Sequence, residues 1–357
     1  MTPVRTSAAA RRPRARSGVW VGLAVALLAS LLVAAAVGSV AIPPAETLRV
    51  LTGGHALDAG SDFILREVRL PRIATAALVG AALGVAGLQM QTLFRNPLAD
   101  PYVLGANSGA SLGVALVALG GGVTGAATFA GGLAGWGRAG SVVAAAFGAA
   151  AVLGLILLFA VWVRSAVTLL LIGVMIGAVT GSLVAVLIVY ADPDSVQKYM
   201  IWGLGTFSAT SWSDLRVAAP VILSAVLLSS TSMRALNALL LGEEYARSMG
   251  VDLRLTRTVT LLSAAVLTGV VTAYCGPVGF LGLVIPHLAR GVFRTSNHRV
   301  ILPGCVLVGA LLAIWCGIVA DLPGKDSSLP LNAVTALIGA PVVITVLLRG
   351  RGNGGAV

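Results

Sequence analysis

Residues 166–190, AVTLLLIGVMIGAVTGSLVAVLIVY, run for 25 residues without one charged side chain or proline. At a rise of about 1.5 Å per residue, a helix of that length outreaches the roughly 30 Å hydrocarbon core of a bilayer. Water could not keep such a segment dispersed, so the stretch reads as a membrane span. Nine more apolar segments lie around it, near residues 18–42, 70–93, 103–122, 139–163, 216–233, 258–275, 281–293, 300–320 and 330–348. Ten segments fill most of the 357 residues and leave no room for a separate soluble domain. The composition agrees: 57% of residues are hydrophobic and 10% charged, whereas a soluble domain carries about 25% charged residues. The fold class is therefore all-α, a polytopic membrane protein of about ten helices.

The segment at 281–293 is too short to cross alone, and Gly276, Pro277 and Pro286 interrupt its surroundings. Half-helices buried against protein are expected there, because lipid cannot satisfy the freed backbone groups. The apolar run after Arg16 is longer than the h-region of a secretory signal, about 7 to 15 residues, and is taken as an uncleaved first helix. Residues 1–16 are expected to be disordered, 17–349 to form one transmembrane domain, and 350–357 a short tail.

The net charge of +11 would suggest nucleic acid in a soluble protein, but its placement follows topology. With an N-terminus inside and ten spans, 16 of the 24 Lys and Arg residues fall in inside loops and 8 outside. That split places both termini in the cytoplasm. Outside, Arg49, Arg66, Arg69 and Arg72 cluster ahead of the second span.

Glycines recur at helical spacing: Gly80 and Gly84; Gly105, Gly109 and Gly113; Gly173, Gly177 and Gly181. Such small faces let helix backbones approach closely in lipid. Cys275, Cys305 and Cys316 lie in apolar stretches and read as core residues rather than bridges or ligands.

No catalytic grouping is legible, and no metal site. The thirteen acids fall in loops or at span ends, which lowers the case for a proton- or sodium-coupled carrier working alone. The chain has two lysines, Lys198 and Lys325, and neither stands in a phosphate-binding loop of the form Gly-x4-Gly-Lys-Ser/Thr. An intramembrane enzyme has His287 as its one candidate, and a structural histidine explains that residue more simply.

The loop at 234–257 contains Gly242-Glu-Glu-Tyr-Ala-Arg-Ser-Met-Gly250. Glu243 and Glu244 suit the first turn of a short helix, Arg247 stands four residues after Glu243, and Gly250 suits the position just past the end. A rigid, exposed helix between two spans can pass force from a soluble partner.

Together with this loop, Arg69-Leu-Pro-Arg72, Phe94-Arg-Asn-Pro-Leu-Ala-Asp-Pro101, the run from Gly276 to Arg290 and Leu331-Asn-Ala-Val-Thr-Ala-Leu-Ile-Gly-Ala-Pro341 resemble the FecCD family of ABC importer permeases. The resemblance covers about residues 45 to 349 and includes importers of iron siderophores, haem and vitamin B12. It implies a ten-helix subunit in a bacterial inner membrane, paired with a second copy or a homologous permease. It also implies two ABC ATPase subunits below, holding ATP and Mg while this chain binds no cofactor, and a periplasmic or lipid-anchored binding protein above. No nucleic acid is implied.

By the same resemblance, Gly242, Glu243, Glu244, Arg247 and Gly250 belong to the segment that couples to the ATPase. Arg66, Arg69 and Arg72 would meet acids of the binding protein. A third family arginine is replaced here by Asp321, with Lys325 four residues on. The translocation path would run along the fifth span, with Gly173, Gly177, Thr180 and Gly181 on one small face. The cargo expected first is a ferric siderophore, with haem and cobalamin as alternatives.

Overall fold

A computed structural model describes residues 12–38, 40, 42–120, 138–163, 165–321 and 329–352. Among these the regular structure is helical throughout. The elements are α1 (Arg12–Ala36), α2 (Pro44–Leu51), α3 (Ala59–Phe63), a π turn (Ile64–Arg69), α4 (Leu70–Leu93), a 3-10 turn (Pro101–Leu104) and α5 (Ala106–Leu119). They continue with α6 (Arg138–Trp162), α7 (Ala166–Tyr190), α8 (Pro193–Gly203), α9 (Trp212–Thr231), α10 (Met233–Leu239) and α11 (Glu243–Ser248). Last come α12 (Leu253–Cys275), α13 (Leu281–Phe293), α14 (His298–Asp321) and α15 (Leu331–Gly352).

Seven of these stretches are long and apolar enough to cross a membrane, and 107–119, 281–293 and 331–345 are shorter apolar helices. Those ten correspond to the ten apolar segments of the sequence. Helix α1 begins at Arg12, inside the stretch expected to be disordered. Residues 1–11 and 353–357, and with them the rest of that stretch and most of the tail, lie outside the described residues, as does Lys325.

Helix α4 is the axis of the bundle. Every residue from Val79 to Leu93 is buried, as a helix apolar all round must be, and α14, α12, α13 and α9 pack around it. Close approach requires glycine at its crossings. A Cβ on Gly80 would stand 2.0 Å from the carbonyl oxygen of Gly309 on α14, and one on Gly87 would stand 1.7 Å from that of Gly282 on α13. The α5/α6 pair repeats this device: a Cβ on Gly109 would meet the Gly148 carbonyl at 2.3 Å, and one on Gly113 the Ala144 carbonyl at 2.0 Å. In lipid such backbone contact replaces the hydrophobic drive that water would supply.

The break before α13 follows the Gly-Pro signal. Gly276 has φ +72° and Phe280 φ +66°, and helix resumes at Leu281. Cys275, Cys305 and Cys316 are buried, and none of the three is joined in a disulfide. Helix α7 is peripheral: 22% of its most apolar window is buried, against 83% for the stretch containing α4.

Candidate coupling and docking surfaces

Helix α11 projects between α10 and α12. Its end is a Schellman closure: the Gly250 amide donates to Arg247 O at 2.9 Å, the Val251 amide to Ala246 O at 3.0 Å, and Gly250 takes φ +78°. The predicted C′ role of Gly250 is thus observed. At the other end Gly242 turns the chain with φ +114°. Ala246 is buried, while Glu244, Tyr245, Arg247 and Met249 are exposed. Leu241, Tyr245 and Met249 are 63%, 54% and 59% exposed, three apolar side chains on an otherwise polar knob. The i, i+4 pair of Glu243 with Arg247 does not form. Arg257, one turn into α12, reaches Glu243 at 2.6 Å instead and pins α11 to the next span.

The arginines clustered ahead of α4 are held by the protein itself. Arg69 is 6% exposed and closes the end of α1, donating from Nη1 to Ala35 O at 2.6 Å and Ala36 O at 3.1 Å, and from Nη2 to Val40 O. A guanidinium is well suited to orphan carbonyls at a helix end. Arg72 pairs with Asp321 at the end of α14 and donates to Gly317 O at 3.2 Å. Arg66 keeps more of its surface; it bonds Asp62 at 3.1 Å and the carbonyl of Gly54, while its own carbonyl accepts from the Trp212 indole at 2.7 Å. The carboxylate of Asp321 thus neutralises Arg72 on the same surface.

On α7, Gly173 and Thr180 are buried. A Cβ on Gly177 would stand 3.3 Å from Ser108 Oγ, and the Gly173 carbonyl lies against Gly105, so this part of the small face packs on α5. Thr180 spends its hydroxyl on Ile176 O and Gly177 O, each at 3.0 Å. Gly181 faces open space. Leu171, Val174, Met175, Val179, Leu183 and Val186 cover the exposed side.

Sequence reasoning did not single out Tyr102, Asn107 or Asn332. They line a cavity of about 350 Å³ with Asp100, Pro277, Gly279, Phe280 and Leu283. Asp100 caps the 3-10 turn, accepting from the Tyr102 amide at 2.8 Å, and the Tyr102 hydroxyl accepts from the Val278 amide at 3.0 Å. Asn332 accepts from the Gly279 amide at 3.0 Å and donates to Gly203 O at 3.2 Å, so it joins α8, the α12–α13 break and α15. Asn332 sits in the motif at 331–341 and Tyr102 directly follows the motif at 94–101, which was the available signal for those two; Asn107 had none. His287 donates to Pro97 O at 2.9 Å, a structural tie.

The FecCD transport family matches residues 25–349. The chain belongs to the FecCD family. Two relatives carry the name vitamin B12 import system permease protein BtuC. That of Klebsiella pneumoniae subsp. pneumoniae is 38% identical over 343 residues, 95% of this chain and 96% of its own. That of Salmonella typhi is 35% identical over 303 residues, 83% and 87% respectively. A solved chain described as a metal-chelate type ABC transporter in an inward-facing conformation superposes with a TM-score of 0.80 at 27% identity, over 93% of this chain and 99% of that one. This FecCD chain is a polytopic membrane protein and the permease component of an ABC importer.

Proposed function

We propose that this permease passes a metal chelate of the cobalamin kind across a bacterial inner membrane, drawing on ATP hydrolysis by two partner ABC ATPase subunits. The observation that carries the ATPase-driven reading is α11: a capped helix pinned by Glu243 and Arg257, presenting Leu241, Tyr245 and Met249 to a partner. In this reading both termini face the cytoplasm with α11, this chain contributes no cofactor, and ATP with Mg stays on the ATPase. The broad apolar side of α7 is covered by a second copy or a homologous permease, and the path follows that seam past Gly181. Gly173, Gly177 and Thr180 set the distance of α7 from α5 behind it. ATP binding shifts the population between outward and inward states through contacts that differ between them.

On the outer surface, Arg66 and the free edge of Arg72 meet acids of a periplasmic or lipid-anchored binding protein, and Arg69 acts by holding the end of α1 in place. The names of the relatives favour cobalamin over ferric siderophore. Ferric siderophore is the second reading, supported by the metal-chelate transporter that shares the fold.

The test is reconstitution of this chain in vesicles with the ATPase and binding protein encoded beside it. ATP-dependent uptake of cobalamin, competed weakly by ferric siderophores and haem, is expected. Uptake by the permease alone down an ion gradient would overturn the ATP-driven reading, and preferential uptake of ferric siderophore would overturn the choice of cargo.

A further inference from the structure

At the end of the bundle that carries α11, a cavity of about 230 Å³ opens between the end of α4, the last turn of α13 and the start of α14. A water molecule claims about 30 Å³ of liquid volume, so the space holds a polyatomic group. Arg95, Arg290, Gln91 and Ser296 supply its polar wall, and Leu88, Leu240 and Pro97 its apolar one. No acidic side chain lines it among the described residues.

Arg290 is half-buried and forms no ion pair among the described residues. Both of its terminal nitrogens donate to a single amide oxygen, Gln91 Oε1, one of them at 3.0 Å, and Gln91 is held in that orientation by its own bond to Leu283 O at 3.1 Å. A neutral amide solvates a guanidinium but leaves its charge uncompensated, which is costly away from water. His298 is already satisfied by Thr92 at 2.9 Å and Asn237 at 2.9 Å and offers the cavity no neutralising group.

Arg95 adds a second cation at a position where glycine is the natural choice. It is the C′ residue of α4: its amide donates to Thr92 O at 3.2 Å, the Asn96 amide to Gln91 O at 3.1 Å, and its φ is +49°. A side chain in that left-handed conformation is disfavoured, and strain of this kind is a pointer to function. The exposed Arg294 and Arg299 stand on the same end of the bundle.

We propose that this basin is a binding site for a phosphate-type anion, held between the guanidinium groups of Arg95 and Arg290. Guanidinium groups pair with phosphate oxygens through directed, charge-assisted hydrogen bonds. Basic pockets between membrane helices on the cytoplasmic side take anionic headgroups, and the apolar wall accommodates the glycerol end of a phospholipid. A free phosphate offers the same chemistry to the two arginines. Arg95 also lines the neighbouring cavity walled by Glu243, Glu244 and Tyr245, so the basin borders the proposed ATPase contact; the test below contains neither ATPase nor cargo, and its failure would leave the transport reading intact.

The full-length protein in detergent is titrated with dioleoyl phosphatidylglycerol, dioleoyl phosphatidylcholine or inorganic phosphate at constant ionic strength, with thermal unfolding and native mass spectrometry as readouts. A saturable stabilisation by phosphatidylglycerol and not by phosphatidylcholine is expected. Arg95→Gln and Arg290→Gln should each weaken it by about tenfold, the worth of one charge-assisted hydrogen bond, and Arg299→Gln should leave it unchanged. A saturable response to inorganic phosphate, lost in the same variants, would support the site and assign a free anion to it. Should Arg290→Gln fail to fold, the exposed Arg95→Gln still decides. Equal responses to the two lipids with none to phosphate, or Arg95→Gln and Arg299→Gln behaving alike, would overturn the proposal and leave both cations to a carboxylate of a soluble partner.

Discussion

Arg257 Nη2 lies 2.6 Å from Glu243 Oε1, tying the first turn of α11 to the first two turns of α12. A force applied to the projecting helix therefore reaches a membrane span through a side-chain contact as well as through the 249–252 connection. Glu243→Arg is expected to abolish ATP-dependent uptake while membrane insertion stays intact, since it places two cations together at the junction. Glu243→Arg combined with Arg257→Glu should recover part of the uptake. The pair is partly exposed, so a double-mutant cycle on stability should return a coupling of only about 1 kcal/mol. Full uptake by the single variant would remove the junction from the coupling path.

Helix crossings at glycine make a second prediction. Gly80→Ala places a methyl group 2.0 Å from Gly309 O, where neither backbone can give way without separating α4 from α14. Overpacking of this kind costs about 1 to 3 kcal/mol. Gly154→Ala, on the open side of α6 where nothing stands within 4 Å of the added atom, is the control. The expected result is a clear fall in unfolding temperature for Gly80→Ala and none for Gly154→Ala. Equal temperatures would mean that the crossing is looser than the backbone distance indicates.

What the sequence made legible here was set by local physics. Residues 166–190 could be assigned as a span from length and lack of charge alone, and the break before Leu281 from Gly276-Pro277, because both depend on a few adjacent residues. The stop at Gly250 was readable for the same reason. Long-range pairing was not. Glu243 has a cation four residues on, yet its partner is fourteen residues away, and Arg69 turns out to fold back upon carbonyls 29 to 34 residues earlier. Spacing gives every cation a solvent-facing reading until tertiary structure shows which carbonyls lack donors. The Gly173–Thr180 face was equally ambiguous, since a stripe of small residues suits a pore and a helix contact alike.

Arg66 and Arg72 should separate by salt and by stability. Arg66→Glu removes a half-exposed cation and is expected to weaken capture of the binding protein several-fold at low salt. The deficit should shrink between about 0.1 M and 1 M ionic strength as the screening length falls from about 10 Å to about 3 Å. Arg72→Glu sets a second carboxylate against Asp321 and should lower the unfolding temperature as well as docking. Pairing it with Asp321→Arg should restore the temperature. Full docking by Arg72→Gln, which removes the cation without adding a charge, would show that Arg72 serves the fold alone.

Asn332 carries the last prediction because it joins three segments that a moving path would have to keep in register. Its side chain accepts from the Gly279 amide and donates to Gly203 O, while its own amide donates to Leu204 O at 3.2 Å. Asn332→Leu preserves size but strands both side-chain partners, at about 1 to 3 kcal/mol for each buried group left unsatisfied. Asn332→Asp keeps the acceptor for Gly279 and loses the donor to Gly203, so its defect should be confined to the α8 side. Hydrogen exchange resolved by segment should then show faster exchange at 203–206 in both variants, and at 276–280 in Asn332→Leu alone. Identical exchange patterns in the two variants would mean that the residue acts as a packing unit and not as a two-sided clasp.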